Sequence, residues 1–227
     1  MSAAPKRNEL VVVVLQKALS SAKTRLRAVL SRDARTALTL QMLRHVLRVC
    51  SSLPSASRLF LCGPDDLAAV AADYQAKMLP GGFAGLRRDA AAAAEDPRIF
   101  GHAAMLIVSS DLPLLTVDDL LAVVGAWRAC AHVVLGPDRR HRATNVMLVN
   151  EPEHFPYSFG EVVGTGSFAA HLSTAVGLNL PCSVIERPGI ALDIDLPEDL
   201  TCLLRTAPDS PIARFVAAKM QETFRFE

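Results

Sequence analysis

The stretch Met105 to Leu115, MLIVSSDLPLL, limits the choice of fold more than any other part of the chain. Its first four residues, Met105 to Val108, are apolar without alternation, the pattern of a central parallel strand covered on both faces. Pro113 ends the extended run, because it has no N–H to offer a sheet ladder. Asp111 then falls just beyond the carboxyl end of the strand, where open α/β sheets collect their ligands. A carboxylate placed there can meet a ligand or a metal, or it can cap the next helix or close a turn. The stretch alone leaves both roles open.

The rest of the chain repeats this kind of unit. Leu10 to Leu15 is a valine-rich strand, Gln16 to Lys23 a polar, basic loop, and Arg32 to Cys50 carries apolar residues at helical spacing. Arg58 to Cys62 reads as a second strand ended by Gly63 and Pro64, with Asp65 or Asp66 capping a helix to Tyr74. Lys77 to Leu79 is a short third strand. Pro80, Gly81, Gly82 and Gly85 make a flexible connection, and Arg87 to Glu95 is a helix whose run of alanines suits close packing on a sheet. After Met105 to Val108 come a helix from Val117 to about Ala129, a strand at His132 to Leu135, a basic loop at Gly136 to Arg142 and a strand at Thr144 to Val149. Glu151 to Gly166 is a long irregular connection before a helix at Ser167 to Val176. Val184 to Glu186 and Ile190 to Ile194 read as strands, Pro197 opens a short helix, and Ile212 to Phe224 is a terminal amphipathic helix. Alternation of this kind predicts a three-layer α/β/α fold with a mostly parallel sheet, in a single domain over residues 1–227.

Composition narrows the function. Lys plus Arg number 24 against 23 Asp plus Glu, so no broad field favours nucleic acid or a membrane surface, and any anion must be held by a local cluster. Cys50, Cys62, Cys130, Cys182 and Cys202 are scattered and odd in number, which argues against a disulfide framework or a zinc site and for a reducing cytoplasm. Lys6 and Arg7 before Leu10 to Leu15 imitate a signal peptide, but Glu9 breaks the charge pattern and the apolar run is short, so the segment reads as the first strand.

A second acidic stretch, ALDIDLPEDL at Ala191 to Leu200, complements Asp111. In an extended segment Asp193 and Asp195 project to one side and Leu192 and Ile194 to the other. Two carboxylates aimed at one place repel unless a cation lies between them, and Mg²⁺ shared with nucleotide phosphates is the usual solution. The competing reading is an exposed edge strand with two surface aspartates, or Asp195 as a helix cap. Lys17 and Lys23, with Arg25 close behind, follow the first strand and are placed to hold a triphosphate. The loop has neither the Gly-x-x-x-x-Gly-Lys of a P-loop nor the Gly-x-Gly-x-x-Gly of a dinucleotide site.

Taken in order, QKALSSAKTRL, SSDLPLL, PDRRHRATNVMLV, GSFAAHL and ALDIDLPEDL cover the chain nearly end to end. In these motifs the chain resembles the 2-phospholactate guanylyltransferases, which act in biosynthesis of the deazaflavin coenzyme F-420 and share the nucleotide-diphosphosugar transferase, GT-A-like fold. The resemblance implies transfer of GMP from GTP to the phosphate of a three-carbon acid (2-phospholactate, phosphoenolpyruvate or 3-phosphoglycerate) with release of pyrophosphate. It makes Asp111, Asp193 and Asp195 the Mg²⁺ ligands, Lys17 and Lys23 the contacts to nucleotide phosphates, and Thr144, Asn145, Gly166 and Ser167 the acid site. His171, one turn further on, is then a substrate contact or a packing residue. An acceptor phosphate is already anionic at neutral pH, so no general base is required. GTP and a small phosphorylated acid are the implied partners, without nucleic acid or membrane, and a homodimer is left open.

Two other readings use the same residues: a sugar-transferring enzyme with Asp193-Ile-Asp195 as its Asp-x-Asp, and a GTP-sensing module without turnover. The chain also departs from the family pattern. Arg87 in GLRRD stands where an asparagine is common, Arg140, His141, Arg142 and Ala143 replace glycines before Thr144, and FGEVVGTGSF is longer than the usual link. If Arg140 or Arg142 turns into the acid pocket it can pair with a second anionic group and favour phosphoglycerate; otherwise the arginines are solvated at a loop tip.

Overall fold

The computed structural model describes residues 9–19, 23–54, 56–82, 85–129, 131–159 and 166–224. Lys6 and Arg7, Cys130, the middle of QKALSSAKTRL and most of FGEVVGTGSF therefore lie outside the described residues.

The first strand, β1 (Leu10–Leu15), is buried at all six positions. Leu10, Val12 and Val14 join an apolar cluster with Leu43, Val46 and Leu47 of the helix α1 (Arg32–Ser51). Val11, Val13 and Leu15 point the other way, into a cluster with Ala90, Ala93 and Ala94 of α3 (Leu86–Glu95). This two-sided burial is why the strand carries no polar alternation. Between these elements come β2 (Ala56–Gly63), α2 (Ala68–Ala72) and β3 (Lys77–Pro80). Then follow β4 (Ala104–Ser109), α4 (Val117–Arg128), β5 (Val133–Pro137), β6 (Thr144–Asn150), α5 (Ser167–Gly177) and β7 (Cys182–Val184). The chain closes with α6 (Pro188–Ala191), α7 (Pro197–Thr206) and α8 (Pro211–Phe224).

The strands form one sheet in the order β3-β2-β1-β4-β6-β5-β7. All neighbours run parallel except at β6, which is antiparallel to both β4 and β5. With α1 and α4 on one face and α3 and α5 on the other, the three-layer α/β/α arrangement is as expected from the alternation. The order runs 3-2-1 and then jumps to 4, so successive connections leave β1 and β4 in opposite directions and open a crevice at their carboxyl ends. Leu15 is in register with Ser109, which puts Lys17 and Asp111 at equivalent distances beyond the two strand ends.

Helix starts follow local chemistry. The Ser31 hydroxyl accepts the Ala34 N–H at 3.2 Å to begin α1, and Thr116 and Asp119 form a reciprocal capping box for α4. Thr116, not Asp111, is thus the cap after β4. Three expectations are corrected. Asp65 and Asp66 lie inside a short 3-10 turn whose first residue follows Pro64, and neither side chain caps it. The last strand is Cys182–Val184, pulled forward by pairing with β5, so Ile185 and Glu186 lie beyond it. Ile190 to Ile194 is not a strand: Pro188 begins a single helical turn, with Gly189 wedged where an added Cβ would come 2.1 Å from the Asp119 carboxylate. Among the described residues no helix is long and apolar enough to cross a membrane.

Candidate active site

Although residues 192–196 form no strand, the alternation read from ALDIDL survives. Leu192 and Ile194 are buried in a third apolar cluster with Leu26, Leu38 and Met42 and with Leu200 and Leu203 of α7. A backbone bond from Ile194 N–H to the Asp111 carbonyl, 3.2 Å, ties the segment to the end of β4. The opposite side therefore presents Asp193 and Asp195 to Asp111, with oxygens of all three within 4.8 Å of one another. Three hard oxygen donors at this separation suit a divalent cation such as Mg²⁺.

Lys23 enters the same cluster. Its ammonium donates to Asp111 Oδ2 at 2.6 Å and to Asp195 Oδ1 at 3.0 Å, and Arg25 lies 3.8 Å from Asp195. Burial alone would lower the Lys23 pKa, but Asp111 and Asp195 outweigh it and hold the ammonium charged. Burial likewise opposes ionisation of Asp195, and Lys23, Arg25 and Lys17 overcome it, leaving that carboxyl below its ordinary value. Among the described residues Asp193 makes no ion pair with either Lys23 or Arg25, and Arg139 attracts it only from beyond ion-pair distance. Burial first, then repulsion from Asp111 and Asp195, pushes it up to about 7, and its side-chain partner is the Asn145 amide at 3.4 Å.

The cleft above these groups measures about 400 Å³ and is lined by Lys17, Lys23, Asp111, Thr144, Asn145, Ser167, Asp193 and Asp195. Of the residues that the resemblance gives to the metal, the nucleotide phosphates and the acid, all but Gly166 therefore share one cavity, and Gly166 directly precedes Ser167. An added Cβ on Gly166 would sit 1.8 Å from the Arg142 carbonyl, so only glycine lets α5 approach the end of the 138–143 loop. Lys17 is exposed at the rim. Asn145 Nδ2 also donates to the Ile190 carbonyl at 2.9 Å, which joins β6 to the turn that leads into Asp193.

At the other end, Thr144 N–H donates to Ser167 Oγ at 3.0 Å, linking β6 to the first residue of α5. Thr144 Oγ1 lies 2.9 Å from His171 Nδ1, and Ser158 N–H donates to His171 Nε2 at 2.9 Å. His171 is fully buried between the rings of Phe155 and Phe159. It does not line the cleft, so of its two expected roles direct substrate contact is corrected. Burial lowers its pKa to about 4.

None of the arginines directly before Thr144 lines the cleft. Arg139 and Arg140 both pair with Asp199, Arg140 at 3.0 Å, and Asp199 is wholly buried. The same carboxylate accepts the N–H groups of Asp195 at 2.9 Å and Leu196 at 2.7 Å. Arg142 is exposed, and its N–H and that of Ala143 are bound by Asp138 Oδ1, both at 2.6 Å. Arg87 is also exposed, and Leu86 is the residue of GLRRD that lines the cleft. Asp199, Asp138 and Asp89 are structural anchors that sequence reasoning missed. Asp199 had a signal, an acid three residues after the cap position of α7, which reaches back to free N–H groups. Asp89 binds the Gly82 N–H at 3.1 Å, a contact across the glycine-rich loop that no local spacing predicts.

Comparison with known proteins agrees with this geometry. The family described as "Guanylyl transferase CofC like" matches residues 10–216. A phosphoenolpyruvate guanylyltransferase of Rubrobacter xylanophilus is 38% identical over 84% of this chain and 91% of its own length. A 3-phospho-D-glycerate guanylyltransferase of Colwellia psychrerythraea is 28% identical over 85% of this chain and 90% of its own. Among solved structures, a protein of Desulfovibrio desulfuricans G20 assigned to the nucleotide-diphospho-sugar transferases superposes with a TM-score of 0.77 at 16% identity, covering 95% of this chain and 98% of that one. A cytidylyltransferase of Leptospira borgpetersenii superposes at 0.60 with 11% identity, covering 95% of each chain. The fold is thus that of the nucleotide-diphosphosugar transferases, and the chain belongs to the CofC-like guanylyltransferase family of nucleotidyltransferases.

Proposed function

We propose that this enzyme transfers GMP from GTP to the phosphate of a phosphorylated three-carbon acid, releasing pyrophosphate, in the cytoplasm and in service of a deazaflavin coenzyme such as F-420. The observation that carries the reading is the single cleft with an acidic, lysine-bridged end at Asp111, Asp193 and Asp195 and a hydroxyl-bearing end at Thr144 and Ser167. In this reading Lys17 and Lys23 hold the triphosphate, and Thr144, Asn145, Gly166 and Ser167 hold the acid, whose charged groups suit the N-terminal amides of α5. The acceptor phosphate attacks the α-phosphorus and the bond to the β-phosphate oxygen breaks, so alignment and charge neutralisation are the tasks left to the protein. Asp111, Asp193 and Asp195 would hold Mg²⁺, which when bound supplies positive charge to the phosphate oxygens.

With Arg140 paired to Asp199, only Arg142, which is exposed, is left to carry the sequence argument for favouring phosphoglycerate. The names of the relatives support phosphoenolpyruvate and 3-phospho-D-glycerate as the first acids to offer. The test incubates the protein with GTP and Mg²⁺ and, separately, phosphoenolpyruvate, 3-phospho-D-glycerate or 2-phospholactate, and resolves the adducts by mass. Pyrophosphate together with a guanylylated acid is expected. A thermal shift with GTP but no pyrophosphate from any acid, or turnover of nucleotide-sugars alone, overturns the reading.

A further inference from the structure

The buried contacts of His171 fix the direction of a hydrogen bond that ends in the cleft. A backbone N–H can only donate, so the 2.9 Å contact from Ser158 N–H makes His171 Nε2 an acceptor. A neutral imidazole must then carry its hydrogen on Nδ1, which faces Thr144 Oγ1 at 2.9 Å. Thr144 Oγ1 accepts that hydrogen, and its own hydroxyl hydrogen is left to be given elsewhere. Thr144 and Ser167 line the cleft, whereas His171 stands behind them. Ser167 Oγ is oriented in the same sense, because it already accepts the Thr144 N–H.

We propose that His171 is a positioning residue: it makes the Thr144 hydroxyl a hydrogen-bond donor into the cleft, matched to an anionic oxygen of the acid substrate. The proposal rests on the acid-binding role assigned above to Thr144. The chemistry is directional. With the hydrogen on Nε2 instead, the ring would turn an N–H toward the Ser158 N–H and would draw the Thr144 hydroxyl hydrogen onto Nδ1, leaving only lone pairs for an anion to meet. The rings of Phe159, centred 4.6 Å away, and Phe155, 6.1 Å away, keep the imidazole in place.

Two measurements test it. The first reads the ring directly: nitrogen-15 NMR of the histidines, with His171 assigned through H171N, in the protein without ligands. The Nδ1–H tautomer is expected, and an Nε2–H tautomer overturns the proposal whatever the enzyme acts on. The second is a double-mutant cycle of H171L and T144V on the KM for the acid and for GTP. Loss of the donor to a charged group predicts a rise of roughly tenfold to a hundredfold in the acid KM for T144V and a smaller rise for H171L, which only frees the hydroxyl to rotate, with the GTP KM unchanged and no further rise when H171L is added to T144V. H171N, whose carboxamide nitrogen takes the place of Nδ1 but cannot reach Ser158, should recover most of the acid KM. Additive effects, or H171N behaving as H171L does, return His171 to a packing role. A wild-type protein inert with all three acids yet showing the Nδ1–H tautomer overturns the acid reading, not the polarity of the hydrogen bond.

Discussion

Burial shifts a titratable side chain at each end of the cleft, Asp193 among the carboxylates and His171 behind Thr144, and the two are treated in opposite ways. At the acidic end Asp193 is pushed up to about 7; at the hydroxyl end His171 is pushed down to about 4. Burial drives both toward their neutral forms. His171 is content there, because both ring nitrogens have partners that fit a neutral imidazole. Asp193 is not, because Asp111 and Asp195 add repulsion and Lys23 bonds to those two and leaves Asp193 out. The hydroxyl end is complete as it stands, whereas the acidic end keeps a repelled carboxylate that the proposed divalent cation would relieve.

The largest effect expected from breaking this contrast is at the acidic end. D193N should lower the rate of pyrophosphate release by roughly 10²–10³-fold, because the carboxamide keeps the shape but not the charge that balances metal and phosphate. Without added metal the same variant should melt no lower than wild type at pH 7, since it also removes a repelled carboxylate. Full activity would take Asp193 out of the site, and a sharply lowered melting temperature would make its role structural.

At the hydroxyl end the expected effect is one of pH. The folded pKa of His171 is about 4 against an ordinary 6.5, so the unfolded chain binds a proton that the folded chain refuses between those values. The stability it contributes is therefore complete above pH 6.5 and lost as the pH falls toward 4, by about 3 kcal/mol. Denaturant titrations at steps of pH should show this slope in wild type and not in H171N. An equal slope in both would assign it to other groups.

The smallest expected effect is also at the hydroxyl end. G166A places a methyl group against the Arg142 carbonyl, and overpacking of this kind costs about 1–3 kcal/mol. It should raise the acid KM more than the GTP KM, because the strain falls on α5 and β6. Steady-state kinetics with each substrate varied in turn would show it; equal changes in both KM values would place the strain elsewhere.

Much of the fold was legible because apolar runs without alternation mean burial on both faces, as at Leu10 to Leu15 and Met105 to Val108. The Asp193 and Asp195 pair was legible for a different reason. Its two-residue spacing kept Leu192 and Ile194 in a core and both carboxylates out of it, although the segment is not a strand. The strand expected at Ile190 to Ile194 failed because Pro188 and the close packing at Gly189 favour a helical turn, which hydropathy does not report. Of the two readings of the arginine loop, Arg142 follows the solvated one, whereas the pairing of Arg139 and Arg140 was in neither. Asp199 lies 59 residues from Arg140 in sequence, and nothing near Arg140 announces a buried carboxylate.

What the sequence determined by itself was composition at each strand end: which residue types stand where a parallel sheet must stop, and hence that acids and lysines gather on its ligand side. Period and punctuation are local properties, and local properties are written in the chain. Tertiary structure decided the pairings. It brought Lys23 to Asp111 and Asp195 and withheld it from Asp193, it sent Arg139 and Arg140 to Asp199, and it oriented His171 between Ser158 and Thr144. Hydrogen bonds and ion pairs act over about 3–4 Å, and which groups come that close depends on how the strands are ordered in the sheet, not on how far apart they lie along the chain.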